Sequence, residues 1–159
     1  MEKLYIISVE DQRDVLDAIS NDLSEFKTKF EIELCESAEE ALELMDDIDS
    51  EGDFIAVIIS DHVMPGTTGV EFLTEVSQDS RFKETRKILL TGLATHEDTI
   101  EAINSASINN YIEKPWKKEK LINTIKSLLT QFIMDKGIDY SDFEEYLDPV
   151  TLMDRMRNA

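Results

Sequence analysis

Residues 54–66 read FIAVIISDHVMPG, an apolar run that ends in Asp61 and passes into a loop with Pro65 and Gly66. A short continuous apolar run followed by turn residues is typical of a strand that is buried on both faces of a parallel sheet. Helical spacing resumes in residues 70–76, just after the loop. This stretch therefore predicts a strand, a loop and a helix, with a carboxylate at the point where the strand ends.

The same alternation of short apolar runs and helical stretches extends in both directions along the chain. The predicted strands are Leu4–Val9, Phe30–Cys35, Phe54–Ser60, Lys87–Thr91 and Asn110–Glu113. The predicted helices are Asp14–Phe26, Ala38–Ile48, Val70–Val76, a helix opening at Thr95–Asp98, and Lys118–Phe132. The first residues of the second and fourth helices carry capping-box patterns. Five βα units in succession predict an α/β fold, a doubly wound five-stranded parallel sheet with right-handed crossovers.

Composition narrows the function classes. The chain has 159 residues, 35 Asp and Glu against 16 Lys and Arg, and a net charge of −19. Because phosphate backbones require a basic face, this charge disfavours direct contact with nucleic acid. With 42% hydrophobic residues the chain can nevertheless form a core. The chain has a single cysteine, Cys35, so an internal disulfide is excluded. No apolar run is long enough to cross a membrane, and we expect a cytoplasmic location.

Polar residues follow the carboxyl ends of four predicted strands. Glu10 and Asp11 follow the first strand, Asp61 follows the third, and Thr91 and Lys114 stand at the ends of the fourth and fifth. Ligands bind at this edge of doubly wound sheets. Three carboxylates crowded together repel each other unless a cation is present, and Mg²⁺ prefers hard oxygen ligands. The residues therefore predict a site for a divalent cation and a phosphoryl group.

Five motifs in register carry a family resemblance. They are Glu10-Asp11, the run Ser60–Gly66 with Gly69, Leu90-Thr91-Gly92, Tyr111–Glu113, and Lys114-Pro115. Together they resemble the receiver domain of two-component response regulators, the CheY-like receiver family. The resemblance covers residues 3–131 and implies the flavodoxin-like (βα)5 receiver fold, followed by a short C-terminal extension.

The resemblance also implies a role for each residue of the site. Asp61 matches the aspartate that accepts a phosphoryl group from a sensor histidine kinase or a phosphotransfer protein. Glu10 and Asp11 match the acidic pair that, with Asp61 and the backbone carbonyl of Val63, binds Mg²⁺ or Mn²⁺. Lys114 matches the lysine that contacts the phosphoryl oxygens.

Thr91 and Tyr111 match the switch residues of the family. On phosphorylation the hydroxyl of Thr91 would move toward the phosphoryl oxygens and Tyr111 would change rotamer. The conformation would then shift on the surface formed by the helix after the fourth strand, the fifth strand and the helix after it, which would control an output protein or domain. In the family the peptide bond that matches Lys114–Pro115 is cis.

Three positions depart from the family pattern. Glu10 stands where aspartate is commoner, and its carboxylate reaches one methylene further. Val63 and Leu93 are apolar at two positions that tune hydrolysis of the acyl phosphate in the family. These two residues suggest the hypothesis that the phosphorylated state is long-lived.

Other functions fit these residues less well than the receiver does. An aspartate-nucleophile, Mg²⁺-dependent phosphatase on a similar scaffold is the alternative, but such enzymes typically carry an acid where this chain has Val63. A flavin site conflicts with Glu10-Asp11, which would repel the flavin phosphate. A receiver that no longer accepts phosphate conflicts with the complete set of site residues. The favoured interpretation is a signalling module that catalyses only its own phosphorylation and dephosphorylation.

Residues 132–159 do not fit the receiver pattern. Phe143, Tyr146, Leu147 and Val150 have helical spacing, although Pro149 should break or restart a helix. We expect an acidic, helical extension whose apolar residues contact the receiver, a second copy in a homodimer, or an output domain.

Three further side chains are predicted to be exposed. His62 and His96 lie in a loop and in the first turn of a helix. Trp116 is expected to form a solvated rim with the lysines that follow it.

Overall fold

The structure is a computed structural model that describes residues 2–92, 100 and 104–158. Its strands are β1 (Leu4–Val9), β2 (Glu31–Cys35), β3 (Phe54–Asp61), β4 (Arg86–Thr91) and β5 (Asn110–Glu113). They form a parallel sheet in the order β2-β1-β3-β4-β5. This order confirms the doubly wound α/β fold, with the direction of winding reversing between β1 and β3.

Two hydrophobic layers cover the two faces of the sheet. On one face lie α1 (Arg13–Asp22) and a helix of 19 residues, Lys118–Lys136, which we call the long helix. On the other face lie α2 (Ala38–Ser50) and α3 (Gly69–Ser77). Seven of the eight residues of β3 are buried, as the continuous apolar run predicts for a central strand covered on both sides.

Helix ends differ from the predicted bounds where tertiary contacts or caps decide them. The first helix ends at Asp22 rather than Phe26, because residues Ser24–Thr28 form a 3₁₀ helix that places Phe26 in the core. The long helix continues to Lys136 and ends at Gly137, whose φ of 76° is left-handed. The helix predicted at Thr95–Asp98 lies outside the described residues.

The segment after the long helix folds back onto it. A 3₁₀ helix spans Tyr140–Tyr146, and Pro149 occupies the first position of a last helix, Pro149–Arg157, which we call the terminal helix. Proline suits this position because the first helical N–H groups have no intrahelical partner. The expected break at Pro149 is therefore the start of a helix.

An aromatic cluster joins this segment to the first face of the sheet. Tyr146 packs against Phe26 and Phe30 with ring centroids 5.9 and 5.5 Å apart, and Phe143 lies 5.3 Å from Phe30. Leu147 is also buried there. The receiver is therefore the partner that contacts Phe143, Tyr146 and Leu147 of the extension.

Polar contacts fix the terminal helix on the long helix. The backbone N–H of Asp148 donates to the buried Thr130 hydroxyl at 2.9 Å, and the Thr151 and Ser127 hydroxyls lie 3.1 Å apart. Arg155 donates to Asp135, which also pairs with Arg86.

The helices of the described residues are too short or too polar to span a membrane.

Candidate functional site

The candidate site lies where the strand order reverses, between β1 and β3. β1 and β3 are neighbours, and the connections that leave their carboxyl ends run to opposite faces of the sheet, which opens a crevice between them. Glu10 directly follows β1, and Asp61 is the last residue of β3. Topology alone therefore brings together carboxylates that are about fifty residues apart in sequence.

The three predicted metal-binding carboxylates converge in this crevice. Glu10, Asp11 and Asp61 each offer an oxygen, and these oxygens lie within 4.8 Å of one another. Glu10 and Asp61 are buried, whereas Asp11 is exposed and faces solvent at the mouth. The backbone N–H of Glu10 donates to the carbonyl of Cys35 at 3.0 Å, which ties the turn after β1 to β2.

Lys114 completes the cluster from the end of β5. Its Nζ lies 2.5 Å from Oδ1 of Asp61 and 3.2 Å from Oε1 of Glu10. The other carboxylate oxygen of Glu10, Oε2, is buried and has no hydrogen-bond partner among the described residues. One lysine thus faces three carboxylates, and the cluster keeps an unsatisfied acceptor.

The pKa values follow from this imbalance. Burial, with the charge of Asp61, raises the pKa of Glu10 to about 7, although Lys114 acts in the opposite direction. Burial alone would lower the pKa of Lys114, but its hydrogen bonds and charge interactions with Asp61 and Glu10 outweigh that effect and raise it. The lysine is therefore a permanent cation, while Glu10 can hold a proton near neutral pH.

The backbone of Asp61 is fixed by a close approach of α3. A Cβ added to Gly69 would lie 2.1 Å from the carbonyl oxygen of Asp61, so only glycine fits there. The Gly69 N–H donates to the carbonyl of His62 at 2.9 Å. Thr68 and Glu71 form a full capping box at the start of the same helix, and their T-x-x-E spacing is a signal for this cap in the sequence.

His62 was predicted to be exposed, and that prediction was wrong. The side chain is half-buried, and its Nδ1 is buried without a partner among the described residues. The reason is that the loop bends back under α3, where the N–H of Gly69 bonds to the His62 carbonyl. His96 and Leu93 lie outside the described residues.

The remaining predicted site residues lie on β4, on β5 and in the loop after β3. Thr91 is buried at the end of β4, and its carbonyl accepts from the N–H of Lys114 at 3.0 Å. Tyr111 lies on β5 with 46% of its surface exposed, and Val63 lies in the loop after Asp61 and is 68% exposed. The Lys114–Pro115 peptide is cis, as the resemblance implied.

Trp116 was placed in a solvated rim, and this prediction was also wrong. The ring is half-buried against the core layer that contains α1, and its Nε1 donates to Oδ2 of Asp22 at 2.8 Å. The three lysines that follow, at positions 117, 118 and 120, are exposed as predicted. No pattern in the sequence pairs Trp116 with Asp22, since the contact spans 94 positions.

Comparison with known proteins agrees with this geometry. Residues 6–126 match the family model for the response regulator receiver domain. Among curated proteins, the chain is 36% identical over 121 residues to the hydrogenase transcriptional regulatory protein HoxA of Cupriavidus necator, covering 76% of this chain and 23% of that protein. It is 31% identical over 126 residues to the chemotaxis protein CheY1 of Helicobacter pylori, covering 79% of this chain and 97% of CheY1. The chain thus spans about a quarter of the HoxA regulator and nearly all of CheY1.

Solved structures share the fold. The signal receiver domain of an HD domain-containing protein from Pseudomonas fluorescens Pf-5 superimposes with a TM-score of 0.73 at 23% identity. The match covers 86% of this chain and 94% of that domain.

Proposed function

Because this chain belongs to the response regulator receiver domain family of two-component systems, we propose that it is a phosphoacceptor and that Asp61 is the acceptor residue. The observation that carries the proposal is the contact of Lys114 Nζ with Asp61 at 2.5 Å beside two further carboxylates. A carboxylate used only for stability would not be placed in a buried acidic cluster that keeps an unsatisfied oxygen.

The residues present fit a divalent cation. Three carboxylates offer oxygens within 4.8 Å of one another, and the buried Oε2 of Glu10 lacks a donor. We assign Glu10, Asp11 and Asp61, with the backbone carbonyl of Val63, as the residues that hold Mg²⁺ or Mn²⁺. When bound, the ion supplies positive charge that offsets the carboxylates and binds phosphoryl oxygens.

Phosphoryl transfer then requires little of the protein. A carboxylate oxygen of Asp61 forms a bond to phosphorus, and the bond from phosphorus to the donor, a histidine nitrogen of a kinase or phosphotransfer protein, breaks. The product is an acyl phosphate on Asp61. Lys114 already contacts Asp61, so its ammonium lies where it can bind the added phosphoryl oxygens.

The response is proposed to reach a partner through Thr91, Tyr111 and the surface around β5. An open groove of about 600 Å³ crosses β5 between Tyr111, Trp116 and Lys120. Two lysines, Lys117 and Lys120, line this groove with one acid, Glu113, in a chain whose net charge is −19. This surface therefore suits an acidic partner, either a separate output protein or an output domain.

The alternative, an aspartate-nucleophile phosphatase, is not favoured. Such an enzyme needs a general acid to protonate the leaving group, and the side chain two positions after Asp61 is Val63. A receiver instead retains the phosphoryl group on its own aspartate and has no separate substrate.

The test is incubation of the protein with acetyl phosphate and Mg²⁺, followed by intact-mass measurement. We expect the mass to increase by one phosphoryl group, and we expect the increase to require Mg²⁺ and to be absent in Asp61→Asn. Asp79→Asn, which removes an aspartate distant from the site, is the matched control and should be modified as the wild type is. Modification of Asp61→Asn to the same extent would refute the proposal.

A further inference from the structure

Among the residues that the structure describes, the turn that carries Lys114 has few backbone hydrogen bonds to hold it. The N–H of Lys114 bonds to the carbonyl of Thr91, but Pro115 has no N–H to donate. Lys117 caps the long helix without a side-chain hydrogen bond. The position of the turn therefore depends on side chains.

Trp116 supplies two such contacts. Its ring packs on the core layer of α1 and the long helix, and its Nε1 donates to Asp22 at 2.8 Å. Both residues are half-buried, and a hydrogen bond to a carboxylate that is partly withdrawn from water is stronger than one between neutral groups. The indole is thus held both by packing and by a charged acceptor.

We propose that Trp116 is a positioning residue for Lys114 and that Asp22 fixes its orientation, a proposal that rests on the phosphoacceptor function above. Lys114 lies two positions before Trp116, and its Nζ must stay within reach of both Asp61 and Glu10, at 2.5 and 3.2 Å. Asp22 is the last residue of α1, the helix that begins two residues after Asp11. One bond therefore links the helix that follows the acidic pair to the turn that carries the lysine.

Three variants separate positioning from packing. Trp116→Phe keeps an aromatic ring and removes the donor, Asp22→Ala removes the acceptor, and Asp22→Asn keeps a neutral acceptor. Glu25→Ala is the control, because the ion pair of Glu25 with Lys126, at 3.4 Å, links the 3₁₀ helix after α1 to the long helix and lies away from Lys114.

The first readout is the rate at which acetyl phosphate modifies Asp61. We expect Trp116→Phe and Asp22→Ala to react about tenfold more slowly than the wild type, because a small displacement of a catalytic group is costly in rate. The double variant should react no more slowly than the slower single variant, and Asp22→Asn should recover part of the rate. Glu25→Ala should stay within about twofold of the wild type, since exposed ion pairs contribute little.

The second readout needs no phosphoryl donor. We expect the nitrogen NMR shift of Lys114 Nζ to change in Trp116→Phe and Asp22→Ala and to stay unchanged in Glu25→Ala. Emission from Trp116, the only tryptophan, should respond to Mg²⁺ with beryllium fluoride in the wild type and respond less in Asp22→Ala.

These readouts distinguish the two proposals. A wild type that takes no phosphoryl group would refute the phosphoacceptor function, and the shift of Lys114 Nζ would still decide the role of Trp116. An unchanged shift of Lys114 Nζ in both variants would overturn the positioning role. Equal loss of rate in Glu25→Ala and Asp22→Ala would also overturn it, because a general loss of stability would then explain both.

Discussion

Replacing Glu10 by glutamine should stabilise the protein when no metal is bound. The glutamine keeps the shape of the side chain and removes a charge that is fully buried, unpaired at Oε2 and close to Asp61. Lys114 still pairs with Asp61 after this change, so the lysine is not left without a partner. Removing a buried charge that lacks full compensation is then favourable.

The size of the effect follows from the pKa of Glu10, which rises from 4.5 to about 7 on folding. Between these two values the folded protein keeps a proton that the unfolded chain releases, so stability falls as the pH rises. At about 1.4 kcal/mol per pKa unit, the loss is at most between about 3 and 4 kcal/mol and is complete above the folded pKa. Glutamine does not titrate and avoids this loss.

Urea unfolding in a metal chelator measures the difference. At about pH 8 we expect Glu10→Gln to be more stable than the wild type by about 1–3 kcal/mol, and at about pH 5 we expect the difference to be much smaller. Saturating Mg²⁺ should reverse the order, because the ion stabilises the protein that binds it more tightly. Glu43→Gln, which removes an exposed charge from α2, controls for the lower net charge.

Two results would refute this reasoning. The first is a Glu10→Gln variant no more stable than Glu43→Gln at the higher pH, which would mean that the buried carboxylate costs no stability. The second is an equal gain in stability at both pH values, which would mean that the gain does not come from the ionisation of Glu10.

Three further predictions follow from local geometry. Gly69→Ala should lower the free energy of unfolding by about 2 kcal/mol or more, because its Cβ would lie 2.1 Å from a backbone oxygen. Gly92→Ala should change it little, because a Cβ there meets none of the described residues, and equal effects of the two variants in urea unfolding would contradict the close approach. Tyr146→Ala should lower the free energy of unfolding by about 3 kcal/mol in the same assay, because the ring is buried in the aromatic cluster. Met153→Ala should lower it little, because Met153 is 59% exposed, and an equally small effect of Tyr146→Ala would mean that the C-terminal segment does not dock. Val63→Asn should speed release of phosphate from the phosphorylated protein by offering a polar group to water, and an unchanged or slower rate would reject the long-lived state.

Strand positions were predictable because hydrophobic runs report burial directly. β1 and β5 have the predicted residues, and the other strands differ by one residue at one end. Because the carboxyl ends of parallel strands meet at one edge of the sheet, the strand positions place Glu10 and Asp61 together without any knowledge of side-chain contacts. The convergence of the candidate site thus follows from strand order alone.

Helix ends and long-range pairs were less predictable. Helical spacing continues through Phe26, but residues Ser24–Thr28 form a 3₁₀ helix, in which the Phe26 ring packs against Tyr146. Gly137 was a usable signal for the end of the long helix. The contact of Trp116 with Asp22 and the full burial of Glu10 depend on packing between distant segments, which periodicity in one segment does not encode.

The most direct test of the central claim is to locate the phosphoryl group. The protein is treated with acetyl phosphate and Mg²⁺, the acyl phosphate is reduced with borohydride to homoserine, and the peptides are sequenced by mass spectrometry. The phosphoacceptor function predicts homoserine at position 61 and at no other aspartate. Homoserine at a different aspartate, or none under conditions that modify an established receiver, would contradict it.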